Sequence, residues 1–123
     1  MSLFEQDNYL AKREGMKILQ EILLDVDNKE FYSYFVEEKD HLKFTMQALN
    51  DDSSAIQIEA FYILFIFLKT PKDVRGLRVN ETLKKNKEPL MLFVQDLQPG
   101  SEKKDESLEK KKEIAERLIE ELE

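Results

Sequence analysis

The sequence predicts an all-α protein, folded as a right-handed helical solenoid of about two to two-and-a-half three-helix repeats. Three observations carry that prediction. Leu, Glu, Lys and Ile dominate a chain of 123 residues that has only three glycines and three prolines, which favours helix over a turn-rich β architecture. Apolar residues recur at helical spacing in seven successive segments, divided by capping residues and breaks. Two of those segments return further along the chain at nearly the same offset.

In order, "NYLAKREGMKILQEILLD" predicts a helix over about 8–25, with Leu10, Met16, Leu19, Ile22 and Leu23 in line and Asp7 or Asn8 as cap. "DNKEFYSYFVEE" predicts a short helix over about 29–37, capped by Asp27 or Asn28, with Phe31, Tyr34 and Phe35 on one side. "DHLKFTMQALN" predicts one over about 40–49, with Leu42, Thr45, Met46 and Leu49 in line. After the turn "NDDSS", Ser53 or Ser54 caps a long helix over about 54–69. "KTPKD" ends it, and a helix over about 73–86 follows, its first turns weakened by Gly76 by ~1 kcal/mol relative to alanine. "KEPLMLFVQDL" is a shorter helix, with Pro89 tolerable only near its start. "QPGS" is the clearest break, and the charged tail predicts an amphipathic helix over about 103–122, a capping helix in preference to a coiled-coil strand.

The repeat shows when "KREGMKILQEIL" (12–23) is set over "QIEAFYILFIFL" (57–68), an offset of 45. "HLKFTMQALND" (41–51) over "PLMLFVQDLQP" (89–99) gives 48. Both fall near the ~40–47-residue period of armadillo and HEAT arrays. The stretch from Ala60 to Leu68 is nine apolar residues without a polar face. An inner layer sealed by neighbours above and below needs such a helix, whereas end layers can carry charge. A globular bundle around one central helix is the alternative. The whole chain is expected to form one armadillo-like domain, in units of about 8–26, 27–69 and 72–123.

The net charge of −7 lacks the electrostatic footprint of a nucleic-acid binder. With no cysteine there is no disulfide, thiolate metal site or cysteine nucleophile, and the cytoplasm is the expected compartment. The apolar run is far shorter than the ~20 residues of a membrane span. The single histidine, His41, reads as a surface residue near a helix start, and Glu37-Glu38 and Asp51-Asp52 read as caps or solubilisers. No EF-hand loop or glycine-rich phosphate loop occurs, so neither metal nor cofactor is expected, and no catalytic residue is assigned.

"NYLAKREGMKILQEILLD", "LKFTMQAL", "AIQIEAFYILFIFL" and "LKKNKEPLMLFVQDL" together resemble the C-terminal part of the calcium-binding protein 39 (Mo twenty-five) scaffold family. The resemblance runs from about Asn8 through the tail, with the segment 72–86 about two residues longer than usual. It implies an armadillo-like rod, no enzymatic activity, and a scaffold that binds and activates STE20-type kinases and holds a related pseudokinase. It also implies a pocket for the Trp-Glu-Phe tripeptide that ends the pseudokinase. By position, the peptide-binding residues it implies are Arg13, Lys17, Met46 and, across the longer segment, Lys85. A basic residue the family often has after the first long helix falls near Val26 here, so part of the charged rim is missing. Such a peptide needs an apolar cleft with a cation at its edge. Arg13 and Lys17 at i,i+4 share a helix face, Arg takes a carboxylate bidentately, and Met suits an aromatic ring.

The opening "MSL" and the immediate start on a long helix fit a C-terminal piece of a longer rod, with apolar surface at its N-terminal end that would permit a dimer. The alternative function is a generic helical-repeat interaction module with an unrelated partner, indifferent to Arg13. A small regulatory enzyme would need clustered titratable groups, which the sequence does not offer. A structural piece without peptide binding is the remaining reading.

Overall fold

The computed structural model describes residues 3–97 and 106–122, with side chains from residues 10 and 107 onward. Seven α-helices appear among the described residues: α1 (Leu3–Leu24), α2 (Lys29–Glu37), α3 (Lys39–Leu49), α4 (Ser54–Lys69), α5 (Leu77–Lys85), α6 (Lys87–Asp96) and α7 (Glu106–Glu120). A short 3₁₀ turn, Val26–Asn28, joins α1 to α2. The molecule is an all-α helical-repeat solenoid.

The core is built around α4. Ala60, Phe61, Ile63, Leu64 and Phe67 are completely buried, Leu68 nearly so, and Phe65 is half-buried against the same cluster. With α1 on one side, α7 on the other and α3 alongside, no face of this helix is left for water, which is why its sequence carries no polar stripe. Its single buried carboxylate, Glu59, is met from the layer before: Gln20 Nε2 donates to Glu59 Oε2 at 2.7 Å and to the Glu59 carbonyl at 3.3 Å.

The layers stack in parallel. Lys12 pairs with Asp51 and Gln20 with Glu59, so α1 advances along α4 in the same direction. Lys111 lies 4.7 Å from the Tyr62 ring centre, and Leu118 and Leu122 meet the Leu68–Thr70 end, so α7 runs the same way again. α1 and α4 end at Leu24 and Lys69, in register with the 45-residue offset seen in the sequence. The short helix α6 runs against α7. Lys87, at the start of α6, donates to the carbonyls of Glu120 and Leu122 at the end of α7.

Cations close the carboxyl ends of three helices. Arg75 Nη1 donates to the Phe67 carbonyl of α4 at 3.2 Å, Lys112 Nζ to the Leu97 carbonyl after α6 at 2.8 Å, and Lys87 caps α7 as above. Each satisfies orphan carbonyls and opposes the negative end of the helix dipole. Thr70, buried just past α4, bonds the Ile66 carbonyl at 2.7 Å and pairs with the Tyr32 hydroxyl of α2.

Several boundaries differ from the sequence reading. Ser53 caps α4 as expected, accepting from Ile56 N–H at 3.3 Å. Asn28 makes no side-chain cap for α2; Asp25 instead accepts from Asp27 N–H at 2.9 Å and caps the 3₁₀ turn before it. The first helix begins at Leu3, before the Asp7 or Asn8 cap expected for it, whose side chains lie outside the described ones. The helix expected from 73 begins at Leu77, because the Pro71 carbonyl takes Val74 N–H and Arg75 N–H into a tight turn first. Gly76 therefore does not weaken a helical turn. It precedes the helix in an extended conformation, and its place is set by contact: a Cβ there would lie 2.2 Å from the Glu37 carbonyl oxygen at the end of α2. "QPGS" and residues 103–105 lie outside the described residues.

Candidate peptide-binding site

α1 presents Arg13 and Lys17 on one face because they stand one helical turn apart. The adjacent Lys12 bonds Asp51 at 3.0 Å, which draws this half of α1 up to the turn between α3 and α4. That turn is itself tightly made. Asp51 Oδ1 accepts from Ser53 N–H at 2.9 Å, and Gln57 Nε2 donates to the Asp51 carbonyl at 2.7 Å. The bond from Ser53 N–H holds the Asp51 carboxyl below the ordinary carboxylate range; burial opposes it, and the Lys12 ammonium adds a lesser lowering through its hydrogen bond and its charge.

Arg13 is half-buried, and its Nε is sealed from solvent without a hydrogen-bond acceptor. Lys17 is nearly free to reorient, its Nζ 3.9 Å from Glu14 Oε1 on its own helix. Met46 stands on α3 one turn before the Asp51 turn, half-buried against the core. Arg13 and Lys17 thus share one face of α1, while Met46 stands on α3, the helix that leads into the turn Lys12 holds. Lys85 is exposed in the last turn of α5, a helix that packs on α3, and among the described residues no hydrogen bond or ion pair ties it to the other three. Val26 is 74% exposed on the 3₁₀ turn and brings no charge to it.

Other notable residues were missed by sequence reasoning. His41 is half-buried, stacked on Phe35 with ring centres 4.5 Å apart, edge-on to Tyr34 at 5.4 Å, and bonded through Nδ1 to the Phe35 carbonyl. Only tertiary packing makes it so; nothing in its local sequence distinguishes it from a surface histidine. Arg75 lines a cleft of about 340 Å³ between the ends of α4 and α7, with Lys69, Lys72, Asn80, Leu118 and Glu121. Burial disfavours its charged form. Its bond to the Phe67 carbonyl gives it a structural role as a helix cap. Among the described residues, no group of three or more His, Cys, Asp or Glu side chains is arranged to hold a metal, and no helix is long and apolar enough to cross a membrane.

Three long helices laid parallel, with shorter helices between them, define the class: a helical-repeat solenoid. Its family is shown by comparison with known proteins. The Mo25-like family model matches residues 1–123, and the chain belongs to that family. It is 34% identical over 92 residues to a Mo25-like protein of Schizosaccharomyces pombe, covering 75% of this chain and 27% of that protein. It is 32% identical over 96 residues to human calcium-binding protein 39-like, covering 78% and 28%. A putative MO25-like protein of Arabidopsis thaliana is 32% identical over 103 residues, covering 81% and 29%. The chain thus spans less than a third of the length of these relatives.

Proposed function

We propose that the chain is part of a non-catalytic scaffold that engages a STE20-type kinase or pseudokinase, taking a Trp-Glu-Phe peptide tail at the edge formed by Arg13, Lys17 and Met46, with Lys85 as an outer cation. Family membership supports the scaffold role. The observation that carries the site is the half-burial of Arg13: a guanidinium partly shielded from water pairs with an incoming carboxylate more strongly than a fully solvated lysine does. Lys17, only loosely held by Glu14, can swing to the same carboxylate, and Met46 offers a pliable apolar wall to an aromatic ring.

The contacts that hold a kinase in its active conformation require more surface than one peptide groove, so this chain binds the tail without activating a kinase alone. Isothermal titration with a Trp-Glu-Phe-ending peptide tests the site. Binding should weaken by at least about tenfold in Arg13→Ala, as expected for loss of a charge-assisted pair. Met46→Ala should also bind more weakly. No heat with the wild-type chain, or equal affinity in both variants, overturns the assignment and leaves a helical-repeat module with another partner.

A further inference from the structure

The outward side of α2 carries exposed aromatic rings. Tyr32, Phe35 and Val36 turn inward, and Phe31 and Tyr34 border that face, 38% and 54% exposed, with the Phe31 ring 6.1 Å from Phe35. Their ring centres lie 6.3 Å apart, and Tyr34 is propped edge-on against His41, so the aromatic pair is held in place rather than free to fold away. Val26, 74% exposed, extends the apolar surface toward the turn before α2. Around these rings stand Asp27, Glu30, Glu37, Glu38 and Asp40, all exposed. Among the described residues none of the five carboxylates takes part in an ion pair; Lys29 and Lys39 stand beside them in the chain, and Arg78 of α5 lines the cleft next to Glu37, Glu38 and Asp40 without bonding any of them.

Exposed aromatic faces bordered by unpaired carboxylates match one side-chain chemistry well. A guanidinium lies flat on a ring through cation–π attraction while its edge donates two parallel hydrogen bonds to a carboxylate. We propose that the α2 face is a docking surface for an arginine-bearing basic segment of a partner protein, with Phe31 and Tyr34 as the stacking platform and Glu30, Glu37 and Glu38 as the carboxylates. Charge complementarity selects this occupant over another apolar helical layer. The faces that α1, α4 and α7 present to one another enclose one buried carboxylate, Glu59, and that one is bonded by Gln20. Five unpaired carboxylates would be stranded under an apolar layer. The surface lies on a different helix from Arg13, and the inference stands or falls independently of the peptide-tail reading.

The test uses the full chain and two blocked peptides, acetyl-Gly-Arg-Gly-Arg-Gly-amide and its lysine counterpart, followed by NMR shifts and calorimetry. The arginine peptide should bind tighter than the lysine peptide and shift the ring resonances of Tyr34 and Phe31. Tyr34→Leu keeps the charge and the exposed position. It should weaken arginine-peptide binding by about three- to tenfold and erase the preference over lysine. Glu37→Gln with Glu38→Gln should weaken binding of both peptides, and Arg13→Ala should change neither. Equal binding of the two peptides, or unchanged binding by Tyr34→Leu, would reduce the effect to general attraction by a chain of net charge −7 and overturn the proposal. So would sedimentation showing a dimer that Tyr34→Leu abolishes, since the face would then belong to a second copy.

Discussion

Replacing Gly76 by alanine should destabilise the protein, while the same change at Gly15 should stabilise it, and the opposite signs follow from two measured surroundings. At Gly76 an added Cβ would lie 2.2 Å from the Glu37 carbonyl oxygen and 3.0 Å from its carbonyl carbon. Both are backbone atoms at the end of α2, so no flexible side-chain tip can move aside. Relief requires α2 and α5 to separate, which also lengthens the 3.5 Å bond from Gly76 N–H to the Val36 carbonyl. Overpacking of this kind is unfavourable by about 1–3 kcal/mol, offset by about 0.5–1 kcal/mol from a less flexible unfolded chain. The net of roughly 1–2 kcal/mol corresponds to a Tm lower by about 4–8 °C in a domain of this size. Gly15 lies inside α1 with nothing within 4 Å of an added Cβ, so only helix propensity acts. Gly15→Ala should raise stability by about 0.5–1 kcal/mol. Urea titration of both variants, read by far-ultraviolet circular dichroism, measures the two together. A Gly76→Ala protein as stable as wild type would refute the close passage of α5 under α2, and with it the stacking of like helices at that level.

Gln20→Leu should lower stability by about 1–3 kcal/mol in urea titrations, because it leaves the buried Glu59 carboxylate without its donor. Phe67→Ala should remove about 3–5 kcal/mol, since the ring is fully buried and packs 5.5 Å from Phe35; Phe65→Ala, at a half-buried position, should remove less. Asp51 titrates below an unfolded aspartate, so it adds stability that is present above about pH 4 and is lost as pH falls through its folded pKa. NMR should find its midpoint below that of an unfolded aspartate, and the deficit of Asp51→Asn relative to wild type should shrink below about pH 4. Lys87→Met should speed amide exchange in the last turn of α7 while changing global stability by only about 0.5 kcal/mol.

The sequence was most informative where burial alone decides the pattern. The run from Ala60 to Leu68 required a helix enclosed on every side, Ser53 was a sufficient start signal, and the 45-residue offset anticipated helices that end in register. It was least informative where a residue's role depends on a partner far along the chain. Gly76 looked like a propensity defect because its constraint is the Glu37 carbonyl, 39 positions earlier. Arg75 carried no local mark of its bond to the Phe67 carbonyl, eight positions earlier at the end of α4. His41 carried no local mark of its stack on Phe35. Asp25, not its neighbours, became the cap because the chain inserts a 3₁₀ turn before α2, a detail of how α1 and α2 cross. The four residues implied by resemblance were legible as identities, and the sealed Nε of Arg13 is what the coordinates add to them.

Because α1, α4 and α7 point the same way, their peptide dipoles do not cancel, as they do in an up-and-down bundle. Each long helix leaves about half an elementary charge of opposite sign at its two ends. Along the row of long helices, amide ends therefore line one border and carbonyl ends the other, while α6, running against α7, opposes part of that polarity. A charged protein drifting toward such an array would be turned edge-on before touching it, with backbone direction acting as a compass needle for its approach.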